Sequence, residues 1–223
     1  MSHAEVVHAP AVANTSKNAL GVTPGKFAMW SFIASDGMGF AGLFAAFVAA
    51  RSHGVWQRLA DGSMEINWPN PTHWFAIDLT ALNTFILICS SVTMVLALSA
   101  CRKDDRGGLL KWLGATILFG TIFLGIQYIE YEHLLLHKNI RPNTDNFCAT
   151  FYSLTCYHGL HVLSGVIYLI CMFIGALRGR YNSKRSMPIE IVGLFWHFVD
   201  LVWILLFTFV YLFEPLQAAG AQS

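Results

Sequence analysis

Five long apolar runs constrain this chain more than any other feature of its sequence. Each is long enough to cross a lipid bilayer as a helix, which takes about 20 mainly apolar residues. Hydrophobic residues make up 55% of the 223 residues and charged residues only 12%, which is too apolar for a soluble domain of this size. We therefore predict an all-α integral membrane bundle of five transmembrane helices, at about residues 27–50, 76–100, 112–131, 149–177 and 189–213.

The segments outside these runs are short. Connections of roughly 10 to 25 residues leave no room for a second folded domain. Residues 27–213 are therefore expected to form one domain, with a polar N-terminal tail at 1–26 and a short C-terminal tail at 214–223. The N-terminal tail lacks the early basic cluster and short apolar core of a signal peptide, so we expect the first helix to be the first membrane anchor.

Lys and Arg residues are unevenly divided between alternate loops. Basic residues near helix ends resist translocation, so the side richer in them is expected to be cytoplasmic. Ten lie in the N-terminal tail and in the loops after helices 2 and 4, and four lie on the opposite side. The sequence predicts that the N-terminus faces the cytoplasm and the C-terminus faces the outside.

Neither the cysteines nor the net charge indicates a further binding function. The five cysteines form no CxxC or paired pattern, so no disulfide framework and no zinc or iron–sulfur site is indicated. The net charge is +1, and no run rich in Lys and Arg has interleaved aromatic residues. We therefore expect no nucleic-acid partner.

Seven ionisable side chains inside the apolar runs are the candidate functional residues. A charged group at the centre of a bilayer costs at least about 2.5 kcal/mol, so such residues face protein or water and usually have a partner. We predict that they form a buried polar network that could support proton transfer. They are Asp36, Glu130, His158, His161, Glu190, His197 and Asp200.

Helical spacing groups several of these residues, because positions three, four or seven apart share a face. His158 and His161 share a face of helix 4. On helix 5, His197 and Asp200 form an acid–base pair, and Glu190 falls on the same stripe as His197. A buried carboxylate beside a histidine could relay protons. The same groups could instead only satisfy one another between helices, and for each residue taken singly this second interpretation is favoured.

A haem or copper site is the main alternative use of the histidines. Haem held between two histidines needs them on facing helices at the same depth. His158 and His161 lie on one helix, and only His197 could supply the opposite ligand. An autonomous haem-binding electron carrier is therefore a second hypothesis.

Several stretches of the chain together resemble subunit III of the haem-copper oxygen reductases. The resemblance runs from about Lys26 to the C-terminus, in the order of the family, and is most specific in helices 4 and 5. This chain resembles the shorter, five-helix bacterial form, which begins at the third helix of seven-helix members. The stretches are SDGMGFAGLFAAF on helix 1, LNT at 82–84, QYIEY at 127–131, ATFYSLTCYHGLH at 149–161 and FWHFVDLVW at 195–203.

The resemblance implies an accessory subunit of a terminal oxidase in the inner (plasma) membrane of a bacterium. Such a subunit has no haem or copper of its own, packs against catalytic subunit I, binds structural phospholipid and supports proton uptake during oxygen reduction. Haem and copper are then expected in partner subunits, and a larger respiratory assembly is a further expected partner. A cytochrome c oxidase is the first expectation, and a quinol oxidase or a nitric oxide reductase stays open.

Two positions depart from the family pattern. Asp36 stands where the family usually has a glutamate after a serine, and its side chain is one methylene shorter. Ala97, Leu98 and Ser99 stand where the family often has a pair of histidines. The remaining six candidate residues match the family motifs. We expect the two imidazoles of helix 4 to bond to carboxylates on adjacent helices, such as Glu130 or Asp36.

Overall fold

The computed structural model describes residues 23–52, 56–58, 64–66, 77–136 and 146–212, and most of them are helical. The five long helices are α1 (Pro24–Ser52), α2 (Ile77–Arg102), α3 (Arg106–Leu136), α4 (Asn146–Leu177) and α5 (Met187–Leu206). A π-helical segment, Phe207–Leu212, continues α5. All five are long and apolar enough to cross a membrane. This confirms the predicted five-helix membrane bundle.

The helices extend beyond the apolar runs where local hydrogen bonds permit. α1 begins at Pro24, because proline suits the first turn, where its missing N–H costs nothing. α3 begins six residues before its apolar run, because the Asp105 carboxylate accepts a hydrogen bond from the Gly108 backbone N–H at 2.9 Å and caps the first turn. Most of the predicted N-terminal tail and all of the C-terminal tail lie outside the described residues.

A short hairpin between α1 and α2 was not predicted. Strand β1 (Trp56–Arg58) pairs antiparallel with β2 (Met64–Ile66), with Gln57 opposite Glu65. The intervening sequence contains Asp61-Gly62, a dipeptide typical of hairpin turns. Three-residue strands are too short to give the alternating apolar pattern from which strands are predicted.

The last helix packs against three of the other four helices. Helices α1, α4, α3 and α2 pack side by side in that order, and α5 packs against α1, α4 and α2. Of the five membrane-spanning helices, α5 has the largest buried share and α1 the smallest. α5 is thus the most buried of these helices and α1 the least buried.

Two glycines, one on α3 and one on α4, make room for a large side chain of α5. Trp196 of α5 is fully buried. A Cβ atom added at Gly120 of α3 would lie 2.7 Å from its Cη2, and one added at Gly165 of α4 would lie 2.9 Å from its Cε3. Small residues allow helix backbones to approach in membrane bundles, and here the space that they leave is filled by one indole ring.

The turns after α2 and α4 are tied together at one end of the bundle. Asp104, just after α2, has a positive φ of 57°, and Gly179, just after α4, has one of 69°. Both residues end their helices in the left-handed conformation common at that position. The Asp104 Oδ1 accepts a hydrogen bond from the Ser183 backbone N–H at 2.6 Å. The hydrogen bonds from Ser183 lower the pKa of the Asp104 carboxyl.

Candidate functional site: two polar clusters inside the bundle

The first cluster centres on Asp36 of α1, whose side chain is buried against α4. Tyr157 Oη donates a hydrogen bond to Asp36 Oδ1 at 2.8 Å. His161 Nε2 lies 3.1 Å from Asp36 Oδ2, at ion-pair distance but not aligned for a straight hydrogen bond. The structure therefore brings Asp36 and His161 together, in line with the expectation that an imidazole of helix 4 meets a carboxylate.

The second nitrogen of His161 constrains the protonation of this pair. His161 Nδ1 lies 2.8 Å from the Tyr157 carbonyl oxygen. A carbonyl oxygen can only accept, so Nδ1 carries a hydrogen. In a neutral ring Nε2 then has a lone pair, which would face the carboxylate of Asp36 unfavourably unless a proton lies between them. The pair of Asp36 and His161 is therefore suited to hold one proton.

Aromatic side chains enclose this pair. Phe40 of α1 is buried, with its ring centroid 5.3 Å from that of His161 and 4.8 Å from that of Tyr157. Apolar walls lower the local dielectric constant, which strengthens the interaction between the imidazole and the carboxylate. Lipid and bulk water are kept from one side of the pair.

His158 does not bond to a carboxylate, so that expectation is wrong for this residue. Its ring is fully buried, stacked on Trp203 of α5 with a centroid distance of 4.9 Å and lying edge-on to Phe123 of α3. Within the described part of the chain, neither ring nitrogen has a hydrogen-bond partner. Three residues correspond to 300° of helical rotation. The side chains of His158 and His161 therefore point 60° apart, one towards α3 and α5 and the other towards α1.

The second cluster joins α5 to α2 through a serine. Ser91 Oγ of α2 donates a hydrogen bond to Asp200 Oδ2 at 2.5 Å and lies 2.7 Å from His197 Nδ1. The acid–base pair predicted from the spacing of His197 and Asp200 is thus bridged by a third residue. Sequence reasoning missed Ser91, although a polar residue in an apolar run is itself a signal of helix–helix hydrogen bonding.

Hydroxyl groups of α2 also satisfy the buried indoles of α5. Trp196 Nε1 donates to Ser90 Oγ, and Trp203 Nε1 donates to Thr84 Oγ1, both at 2.9 Å. Each of these side chains is buried. An unpaired indole N–H would cost free energy in such surroundings, so these hydroxyls fix the rotation of α5 against α2.

The last two candidate residues lie apart from both clusters. Glu130 of α3 is buried and accepts a hydrogen bond from Thr80 Oγ1 of α2 at 3.1 Å. Glu190, in the first turn of α5, lies 2.6 Å from Lys26 Nζ and 3.4 Å from an Arg102 nitrogen. Glu190 therefore joins the ends of three helices and does not pair with His197.

The described residues offer no cluster that resembles a metal site. No group of three His, Cys, Asp or Glu side chains within them could hold a metal ion. For haem, His161 has both ring nitrogens close to protein oxygens, and His158 is enclosed on all sides. Of the three histidines predicted as candidates, His197 alone keeps a ring nitrogen, Nε2, without a hydrogen bond to the described residues and outside a closed packing site, which does not fit a site with two axial ligands from these three.

Comparison with known proteins identifies the family. A family model described as cytochrome c oxidase subunit III matches residues 9–214. The chain is 32% identical over 183 residues to cytochrome c oxidase subunit 3 of Alkalihalophilus pseudofirmus, covering 82% of this chain and 84% of the relative. It is 35% identical over 182 residues to cytochrome c oxidase subunit 3 of Thermostichus vulcanus, covering 81% and 83%.

Relatives are also found among quinol oxidases. The chain is 30% identical over 190 residues to the cytochrome bo(3) ubiquinol oxidase subunit 3 of Pseudomonas aeruginosa, covering 85% of both chains. The family match and the five membrane-spanning helices confirm the resemblance found in the sequence. The chain is a multi-pass membrane protein and belongs to the cytochrome c oxidase subunit III family, the accessory subunits of haem-copper oxidases.

Proposed function

We propose that this chain is the subunit III of a proton-translocating cytochrome c oxidase in the inner membrane of a bacterium. In that complex it packs against catalytic subunit I, which holds the haem and copper with the other redox subunits, and it stabilises the oxygen-reducing site. The names of two of the relatives described above support cytochrome c as the electron donor. The uneven division of basic residues supports a cytoplasmic N-terminus.

Support of proton uptake is the finer part of this proposal, and the pair of Asp36 and His161 carries it. A carboxylate and an imidazole 3.1 Å apart, with the other ring nitrogen against a carbonyl oxygen, form a site that holds one proton at membrane depth. The shorter side chain of aspartate is no obstacle, since Tyr157 Oη reaches its carboxylate at 2.8 Å. Glu130, His158, Glu190, His197 and Asp200 then act as buried or helix-end polar contacts that hold the bundle in shape.

Bound phospholipid is also part of the proposal. Basic residues are concentrated at the end of the bundle where α1 begins, around Lys26, Arg102 and Arg106. Such residues at a cytoplasmic surface attract anionic headgroups. A larger respiratory assembly could cover the remaining exposed apolar faces of α1, which include Trp30 and Met38.

Variants of Asp36 test the proton-supporting role in the assembled oxidase. Asp36→Asn removes the titratable group and is expected to slow proton uptake or shorten the turnover lifetime of the oxidase reconstituted in liposomes. Asp36→Glu keeps a carboxylate and is expected to preserve both. Ser35→Ala is the matched control, because Ser35 is exposed and its one hydrogen bond among the described residues is to the Phe32 carbonyl oxygen. Unchanged proton uptake and lifetime in Asp36→Asn would dismiss the role.

A quinol oxidase is the second candidate, because relatives include ubiquinol and quinol oxidase subunits. Purification of the complex from its native membrane, followed by assays with reduced cytochrome c and with a quinol, separates the two donors. An assay of the same preparation for reduction of nitric oxide tests whether the complex is a nitric oxide reductase. An isolated chain with a Soret band that is lost in His197→Ala would favour the haem carrier instead.

A further inference from the structure

A ring nitrogen of His197 lies on a mainly apolar outward face of α5. The face lies between the sides of α5 that contact α1 and α2, opposite the side that contacts α4, and we call it the α5 groove. Positions three, four and seven apart define it. Its members are Leu194, His197, Leu201, Ile204, Leu205 and Thr208. Leu201 is 57% exposed and His197 is half-buried, so this face is open at the surface of the chain.

Packing contacts on either side of α5 define the walls of the groove. Phe198 and Ile191 of α5 face α1, where they approach Gly37 and Gly25. On the other side, α5 is bonded to α2 through Ser91. The groove is therefore bounded by α1 and α2 and has α5 as its floor.

His197 lies at the depth of the acyl chains. Glu190, seven residues earlier, marks the end of the bundle, where it pairs with Lys26 and Arg102. Seven residues of helix span about 10 Å at a rise of 1.5 Å per residue. Half of a hydrocarbon core is about 15 Å thick. Acyl chains have no hydrogen-bonding groups, so a lipid in the groove would leave the exposed nitrogen unsatisfied.

The bonds around Ser91 determine which hydrogen bond the exposed nitrogen can make. With Asp200 ionised, the single hydroxyl hydrogen of Ser91 goes to its carboxylate, so His197 Nδ1 donates its own hydrogen to Ser91 Oγ. A neutral imidazole with a hydrogen on Nδ1 has an acceptor lone pair on Nε2. Among the described residues, none forms a hydrogen bond with Nε2.

We propose that the α5 groove is the docking surface for a transmembrane helix of a partner subunit, and that this helix donates a hydrogen bond to His197 Nε2. The donor is a side chain such as the hydroxyl of serine, threonine or tyrosine, a side-chain amide or an indole. Leu201 and its apolar neighbours pack against the rest of that helix. The inference rests on the proposed function, since it takes the chain to be one subunit of a larger membrane complex.

Photocrosslinking in the assembled complex tests the location of the interface. A benzophenone amino acid at Leu201, in the groove, is expected to crosslink to a partner polypeptide in native membranes. The control position is Leu118 on α3, which is 58% exposed and lies a similar number of residues from the start of its helix. A benzophenone amino acid at Leu118 is expected to label lipid. Lipid labelling from Leu201 would overturn the proposal. If Leu201 labelled lipid while Leu118 crosslinked to a polypeptide, the chain would still be a subunit of a complex, as the proposed function requires. Its partner would then dock on α3 and not on the α5 groove.

Two substitutions of His197 test the hydrogen bond itself. The amide of asparagine comes near the position of Nδ1, and that of glutamine near the position of Nε2. His197→Asn keeps the contact with Ser91 and is expected to weaken retention of the chain by the complex about three- to thirty-fold during detergent titration. His197→Gln keeps the outward contact and should retain the chain nearly as well as the unsubstituted protein.

The opposite order of retention would overturn the proposal, because it would mean that His197 acts only through Ser91 inside the chain. Equal retention of both variants with the unsubstituted protein would overturn it as well. The crosslink from Leu201 changes none of these hydrogen bonds, so it tests the groove even if both variants of His197 fold poorly. If the unsubstituted chain co-purified with no oxidase subunit at all, the proposed function and this inference would both fail.

Discussion

Substitution of Gly165 by alanine is expected to destabilise the bundle, although alanine is the better helix former. The added methyl group would lie 2.9 Å from two carbon atoms of Trp196 and 3.2 Å from one of Phe195. Carbon atoms in contact are normally about 3.5–4.0 Å apart. The indole cannot retreat, because it is fully buried, lies against Gly120 on another side and is bonded to Ser90.

The size of this effect follows from two opposing contributions. Forcing one methyl group into a packed core costs about 1–3 kcal/mol. Replacing glycine by alanine within a helix gains about 0.5–1 kcal/mol. Gly159→Ala on the same helix provides a matched control, because nothing lies within 4 Å of a Cβ atom added there. Helix propensity cancels between the two variants, so their free energies of unfolding should differ by about 1–3 kcal/mol.

The measurement is unfolding of the purified chain in detergent micelles as the mole fraction of SDS is raised, followed by tryptophan fluorescence. Gly165→Ala should unfold at a lower SDS mole fraction than the unsubstituted chain, and Gly159→Ala at a slightly higher one. If the two variants unfolded together, Trp196 would not be clamped between α3 and α4, and the packing argument would be refuted.

Further variants examine two hydrogen bonds, one inside the bundle and one between the turns after α2 and α4. Ser90→Ala leaves the buried indole N–H of Trp196 without its acceptor and should lower the free energy of unfolding by about 1–3 kcal/mol in the same SDS assay, whereas Ser153→Ala, at an exposed serine, should change it by less than about 0.5 kcal/mol. Asp104→Ala should lower the thermal unfolding midpoint at pH 7 relative to Asp104→Asn, which keeps an oxygen acceptor for Ser183. Because the pKa of Asp104 is lowered in the folded protein, its stabilisation is complete above about pH 4 and is lost as the pH falls through the lowered pKa. A difference in unfolding midpoint between the wild-type chain and Asp104→Asn that did not narrow as the pH was lowered below about 4 would contradict this assignment.

The helices were predictable because the bilayer imposes a simple rule. A run of about 20 apolar residues is a helix whatever its neighbours are. The contact between Asp36 and His161 was foreseeable for a related reason, since an ionisable group inside a membrane needs a partner and few candidates exist. The apolar composition of the runs and the free-energy cost of burying a charged group are therefore enough to predict this part of the structure.

The bridging serine was not predictable from the chain alone. Hydroxyl residues in membrane helices often bond to the carbonyl oxygen of the preceding turn, as Thr155 and Thr208 do here. Ser91 instead reaches another helix. Nothing local distinguishes the two behaviours, because the choice depends on how α2 is rotated against α5. The expectation for His158 was wrong for the same reason, because the sequence does not give the rotation of α4 against its neighbours.

The late position of α5 in the chain has a consequence for biogenesis. A ribosome delivers α1 to α4 into the membrane before the helix against which α1, α2 and α4 pack. Until α5 arrives, the hydroxyls of Thr84 and Ser90 have no indole to accept from, and Asp36 and His161 are already able to meet. The first four helices are therefore synthesised while some of their buried polar groups lack partners, and these groups gain their partners only when the fifth helix arrives.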